Sequence, residues 1–96
     1  MRRLHIVTYD ISDGKRWRKV FRKMKGFGQH LQLSVFICDL TPAERVKMRS
    51  ALHDLIDHAE DKVMIVDLGP SEGRTIKEIE TLGVPMSIET RHPRVI

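Results

Sequence analysis

Residues 4–11, LHIVTYDI, constrain the fold more than any other segment. The run is β-branched, aromatic or apolar at nearly every position, so a strand formed here needs cover on both faces or nearly so. Such a strand belongs in the middle of a sheet. Its one acid, Asp10, comes near the end. A carboxylate on a buried strand is costly unless it is solvated, paired or bound to a metal. The charge then inverts: residues 15–25 hold seven Lys or Arg and no Asp or Glu. Concentrated positive charge finds an obvious partner in polyphosphate. Together the two features predict a protein that holds nucleic acid and places a metal ion on it.

Asp13 and Gly14 punctuate the chain after the strand. Trp17, Val20, Phe21 and Met24 then fall at i, i+3, i+4 and i+7, one face of a helix. Lys15, Arg16, Arg18, Lys19, Arg22 and Lys23 take the remainder, and Gly26 and Gly28 stop it. Leu31, Leu33, Val35 and Ile37 alternate with Gln32, Ser34, Phe36 and Cys38, which predicts one second strand of period two. Thr41, Pro42 and Glu44 read as N-cap, first turn and return bond of a capping box. Met48, Leu52, Leu55, Ile56 and Ala59 continue that helix. Residues 63–68 predict a third strand and 69–73 a loop. Residues 74–82 fit a helix or a strand, and the topology favours a strand. Residues 86–90 predict a last short strand, followed by a tail through Pro93.

Counted with the capped helix, the order is βαβαββ. At this size the pattern is closest to a ferredoxin-like βαββαβ-type sandwich of the α+β class: an antiparallel sheet, two helices on one face, and an extra C-terminal strand. That architecture leaves the other face bare. Apolar residues on both sides of the first strand predict that a second copy covers it. A chain of 96 residues fits a single domain, 1–96, with a thin stability margin that dimerisation widens. The net charge is only +4, so the placement of charge says more than its total. One cysteine, Cys38, excludes an internal disulfide and a Cys-based zinc cluster, and suits a reducing cytoplasm. No apolar run approaches the roughly 20 residues of a membrane span. The opening MRRLHIV meets an acid at Asp10 and is not expected to act as a signal peptide.

Several segments, taken in order, carry a resemblance. They are YDI (Tyr9, Asp10, Ile11), the basic amphipathic helix, QLSVFICDLTPAE (residues 32–44), Leu-Ile-Asp (55–57), IVDLG (65–69) and IETLG (79–83). Across about the whole chain they resemble the CRISPR-associated (Cas) protein two family; YDI alone is weak, but YDI, SVF and LTP at these separations are strong together. The resemblance implies ferredoxin-like homodimers with sheets packed face to face. It implies that the C-terminal segment, about 84–96, crosses to the partner protomer and extends its sheet. It further implies paired first-strand aspartates near the dyad that can bind Mg²⁺, and metal-dependent endonuclease activity on single-stranded RNA or double-stranded DNA. Finally, it implies a place at the centre of the spacer-acquisition complex with the CRISPR integrase subunit, a role in which the acid can be dispensable.

Asp10 is the catalytic and metal-binding candidate. Phosphodiester hydrolysis needs a divalent ion, and Mg²⁺ keeps several waters, so one Asp per chain across a dyad suffices in outline. The bland alternative has Asp10 capping the following helix or facing solvent. Arg16, Arg18, Lys19, Arg22 and Lys23 are the nucleic-acid-binding candidates. A solvated helix face is the ordinary explanation, but the missing acids leave these charges mutually repulsive, as in nucleic-acid binders. Few aromatics lie nearby, so backbone contact is indicated and base stacking is not.

Tyr9, Ser34 and Phe36 are supporting residues. Ser34 and Phe36 share a strand face; Ser34 could bond near Asp10 or a phosphate, or be a satisfied strand hydroxyl, while Phe36 fills the core or a dimer interface. Trp17 and Met24 sit at core spacing. His53 and His58 are too far apart for a same-face metal pair, and His30 precedes the second strand. Asp39, Asp57, Asp61 and Asp67 read as caps, turn or edge residues. Two functions compete: a metal-dependent endonuclease, and a non-catalytic architectural DNA-binding subunit that bridges integrase dimers. A ligand-binding regulatory domain would leave the basic helix unexplained.

Overall fold

The computed structural model describes residues 1–72, 74 and 79–84. Along them run β1 (Arg3–Asp10), α1 (Gly14–Lys25), β2 (Gln29–Gln32), β3 (Val35–Leu40), α2 (Pro42–Leu55) and β4 (Lys62–Pro70). The sheet order is β2-β3-β1-β4 and every pairing is antiparallel. β1 therefore lies inside the sheet, as its continuous apolar run requires. With both helices on one face, the arrangement is the ferredoxin-like βαββαβ sandwich.

The single strand expected over residues 31–38 is in fact two. β2 ends at Gln32, Leu33 and Ser34 form a tight turn, and β3 starts at Val35. A two-residue turn preserves the alternation of apolar positions, so the period-two pattern runs through it unbroken. The usual glycine, asparagine or aspartate is also missing from the turn. Leu33 takes φ +32°, a posture costly for a residue with a Cβ. Bonds on either side hold it: the Tyr9 N–H donates to the Ser34 carbonyl at 3.1 Å, and His30 Nε2 lies 2.7 Å from the Leu33 carbonyl. Ser34 and Phe36 consequently do not share a strand.

Helix ends follow side-chain chemistry. Asp13 caps α1, its Oδ2 accepting the Arg16 N–H at 3.0 Å. Both bonds of the Thr41–Glu44 capping box are present on α2. α2 stops at Leu55, short of Ala59, because Asp57 starts a turn of its own. Its side chain accepts the Ala59 N–H at 2.9 Å and its carbonyl the Asp61 N–H at 2.8 Å.

Val7 and Tyr9 of β1 face the helices and form the core with Phe36, Cys38 and Leu40 of β3, Val20 and Met24 of α1, and Met48 and Leu52 of α2. An aromatic seam joins α1 to the sheet. Trp17 stacks on Phe21 with centroids 5.2 Å apart, and Phe21 meets Phe36 edge-on at 5.7 Å. Such pairs add about 0.5–1.5 kcal/mol each beyond the area they bury. Gly28 contributes through close approach: a Cβ there would run into Cys38 Sγ and the Ile37 carbonyl.

The opposite face carries Ile6, Thr8 and Asp10 of β1, flanked in register by Val35 and Ile37 of β3 and by Val66, Met64 and Lys62 of β4. Met64 is 54 % exposed and Val66 44 %. Beyond β4, Arg74 and residues 79–82 lie in neither strand nor helix, and the rest of the strand expected over 74–82 falls outside the described residues. The strand expected at 86–90, and nearly all of segment 84–96, fall outside the described residues.

Candidate nucleic-acid and metal site

Asp10 ends β1 with its carboxylate in solvent, opposite Lys62 in the ladder and on the open face of the sheet. Among the described residues it makes no hydrogen bond or ion pair. The capping role belongs to Asp13 instead. Solvation is the least costly state for a lone carboxylate, and it leaves this one available.

One turn away, a different acid is fully committed. The Asp61 side chain is 0 % exposed. It accepts Arg16 Nε–H on Oδ2 at 2.8 Å, Arg16 Nη2–H on Oδ1 at 3.2 Å, the Ser12 N–H at 3.0 Å and the Asp57 N–H at 2.8 Å. The hydrogen bonds from Arg16 hold the Asp61 carboxyl well below the usual carboxylate range, against the opposing effect of burial; the Asp57 and Ser12 N–H groups assist. The same pairing raises the Arg16 guanidinium. Glu60 adds a longer contact to Arg16 at 3.6 Å.

Arg16 thus has an internal partner. Arg18, Lys19, Arg22 and Lys23 are exposed and form no ion pair among the described residues. Lys25 lies over the Phe21 ring, 5.3 Å from its centroid. At about 1.5 Å rise per residue, the exposed cations from Lys15 to Lys23 cover roughly 12 Å. The row starts at the end of the sheet where Asp10 emerges. Positive charge in the first turn opposes the helix dipole by about 0.3–1 kcal/mol per group. Asp13 and Asp61 offset that cost, whereas Arg22, Lys23 and Lys25 sit in the last turn, where the dipole favours them.

The supporting residues work from beneath. Tyr9 packs against Trp17 and Phe36 at centroid distances of 6.4 and 6.2 Å. Its buried hydroxyl has no partner in hydrogen-bonding geometry, and burial pushes its pKa up to about 12, with the neighbouring Ser34 hydroxyl opposing. Ser34 Oγ accepts Trp17 Nε1–H at 2.8 Å, so the possible bond near Asp10 gives way to one that ties α1 to the β2–β3 turn. Phe36 is fully buried on the helix side, in the core. His30 packs edge-on against Phe21 at 4.9 Å.

Asp61 reads from sequence as a cap, turn or edge residue, yet it anchors Arg16 here. Its signal was indirect. A basic helix without a single i,i+4 acid leaves unbalanced charge in its first turn, and an acid from elsewhere in the chain balances it.

Among the described residues no group of three or more His, Cys, Asp or Glu side chains is placed to hold a metal ion. Among the described residues, Asp10 brings one carboxylate to this end of the open face. Mg²⁺ binds through one or two carboxylates plus waters and phosphate oxygens, so the donor chemistry fits a hard divalent ion once a second carboxylate or a phosphate joins.

Residues 1–76, which span all six elements, match the family model described as CRISPR associated protein Cas2. The chain belongs to the Cas2 family. It is 46 % identical over 92 residues to the "CRISPR-associated endoribonuclease Cas2 1" of Rhodospirillum rubrum, covering 96 % of this chain and 89 % of that one. It is 51 % identical over 72 residues to the "CRISPR-associated endoribonuclease Cas2" of Geobacter sulfurreducens, covering 75 % and 76 % of the two chains. The crystal structure of Streptococcus pyogenes Cas2 at pH 6.5 superposes with a TM-score of 0.72 at 35 % identity, covering 83 % of this chain and 99 % of that one. No helix among the described residues is long and apolar enough to cross a membrane.

Proposed function

We propose that two copies of this Cas2 chain pack open face to open face, and that the pair is a nucleic-acid-binding subunit of CRISPR spacer acquisition with a metal-dependent phosphodiesterase centred on the two Asp10 carboxylates. The position of Asp10 carries this reading. The carboxylate is exposed, has no partner among the described residues, shares its face with Ile6, Thr8, Met64 and Val66, and emerges where the basic helix begins. Covering Met64 and Val66 in a dimer contributes roughly 1 kcal/mol per half-exposed side chain. Apposing the faces also brings two carboxylates of like charge together, which favours a cation between them.

Asp10 from each copy would hold Mg²⁺. Bound there, a divalent ion neutralises charge on the scissile phosphate and lowers the pKa of an attacking water. Arg18, Lys19, Arg22 and Lys23 grip phosphates along the strand and align the bond with the acids. Trp17, Ser34 and Phe36 keep the floor beneath Tyr9 rigid. The names of the relatives make RNA the first substrate to test, with duplex DNA beside it. The proposed setting is the cytoplasm, with the CRISPR integrase subunit as partner and segment 84–96 crossing to the other protomer.

The row of exposed cations along α1, a helix that contains no acid, supports a second reading, in which the pair grips duplex DNA without cutting it and bridges integrase dimers. One experiment separates the two. Metal-free protein is incubated with labelled RNA and duplex DNA, with and without Mg²⁺, beside Asp10→Ala. Mg²⁺-dependent cutting lost in the variant supports the enzyme. Identical cutting by both proteins refutes it, and spacer acquisition that survives Asp10→Ala favours the architectural role. A solution mass showing only monomer removes the face-to-face pairing.

A further inference from the structure

The acid strand and the basic helix are joined by only three residues, 11–13, and a carboxylate from elsewhere in the chain holds that joint. Asp61 lies immediately before β4. Its Oδ1 accepts the Ser12 N–H at 3.0 Å, and its Oδ2 accepts Arg16 Nε–H at 2.8 Å. The Asp57 N–H, at 2.8 Å from Oδ2, fixes the carboxylate itself. The next residue, Lys62, is the ladder partner of Asp10. Adjacent residues 61 and 62 therefore restrain the chain on both sides of the exposed acid: by the ladder at Asp10 and by a pinned amide at Ser12.

We infer that Asp61 is a positioning residue for Asp10. Through Ser12 it fixes the turn that carries the Asp10 carboxylate, and through Arg16 it fixes the phosphate-gripping helix relative to that carboxylate. The inference rests on the reading of Asp10 as the metal-holding acid. Its physical basis is that a reacting group displaced by about 1 Å loses on the order of 100-fold in rate, and an exposed side chain at a strand end has little else to hold it. An ordinary surface ion pair would be solvated and loosely oriented. This one is shielded from solvent, engages two guanidinium nitrogens and takes two backbone amides besides.

The test compares wild type, Asp61→Asn, Arg16→Lys and Asp10→Ala as full chains. Asp61→Asn keeps an oxygen for the Ser12 N–H but sets an amide N–H₂ against Arg16 Nε–H and the Asp57 N–H. Arg16→Lys keeps the charge and loses the two-pronged contact, and it serves if the first variant folds poorly. Amide exchange at Ser12, Mn²⁺ affinity, and kcat and KM for RNA cleavage are measured. In Asp61→Asn, exchange at Ser12 rises about tenfold while Val7 and Phe36 stay protected. Mn²⁺ affinity and kcat each fall about 10- to 100-fold with KM unchanged, since the exposed cations are untouched. Arg16→Lys falls in between.

Unchanged Ser12 exchange, a loss of protection spread evenly over the core, or a raised KM at constant kcat would overturn the inference. If Asp10→Ala loses Mn²⁺ binding and cutting while Asp61→Asn retains both, the inference alone fails. If Asp10→Ala keeps the wild-type Mn²⁺ affinity and cutting rate, the reading of Asp10 fails and takes the inference with it.

Discussion

Arg16 and Arg22 lie on one helix and carry the same charge, yet they should respond differently to a phosphate backbone. Arg16 is spent on Asp61, whereas Arg22 is exposed. The outer arc of α1 offers Lys15, Arg18, Lys19, Arg22 and Lys23, and a strand laid along a helix meets one side of that arc, roughly three cations per chain. Two copies then neutralise about six phosphates, so log K falls with log salt at a slope near −5. Raising salt from about 50 to about 200 mM should weaken duplex binding by about 1,000-fold. Arg22→Gln removes two contacts per dimer and should flatten the slope to about −4. Arg16→Gln should leave it near −5, because that side chain never faces the ligand. Fluorescence anisotropy of a labelled duplex across a salt series reads all three slopes. A wild-type slope near zero, or an Arg16→Gln slope flattened as far as that of Arg22→Gln, would refute the reasoning.

Three further outcomes are expected. Gly28→Ala forces a methyl group into Cys38 Sγ and the Ile37 carbonyl, and should lower stability by about 1–3 kcal/mol in urea unfolding; an unchanged midpoint would show that the chain yields there. Val66→Glu places a charge on the open face beside Ile6 and should convert dimer to monomer by light scattering with helix content intact, so a surviving dimer would mean that another surface is used. Burial pushes both the Cys38 thiol and the Tyr9 hydroxyl up to about 12. Both are neutral in the fold, and their unfolded values lie at about 8.5 and 10. The stability they contribute is complete below those unfolded values and drains away as pH rises towards 12. The urea midpoint should therefore fall above about pH 8.5, with a shallower fall in Cys38→Ala; a midpoint flat to pH 11 would contradict this.

The parts legible in the sequence are those where one local rule acts alone. The unbroken apolar run of residues 4–11 placed β1 inside the sheet, and Thr41 with Glu44 marked the start of α2 to the residue. The spacing of Trp17, Val20, Phe21 and Met24 gave the buried side of α1. The β2–β3 turn was hidden because Leu33 and Ser34 carry no turn signal and two residues preserve the alternation. The exposure of Asp10 was one of two open options until Asp13 proved to be the cap. The division of labour among the cations was invisible for a different reason. Whether an arginine faces solvent or a distant acid depends on where residue 61 returns in space, and helical spacing holds no record of that.

The central strand also sets a schedule for folding. Both ladder partners of β1 come later in the chain, and the farther one ends at Pro70. On a ribosome making about 5–20 residues per second, the strand must wait several seconds for its last neighbour. Throughout that interval the edge of β1 that β4 will pair stays open. Nascent chains should therefore be most vulnerable to misassociation between the emergence of the first helix and that of the fourth strand, and a pause placed there would lower the yield of folded protein more than one placed later.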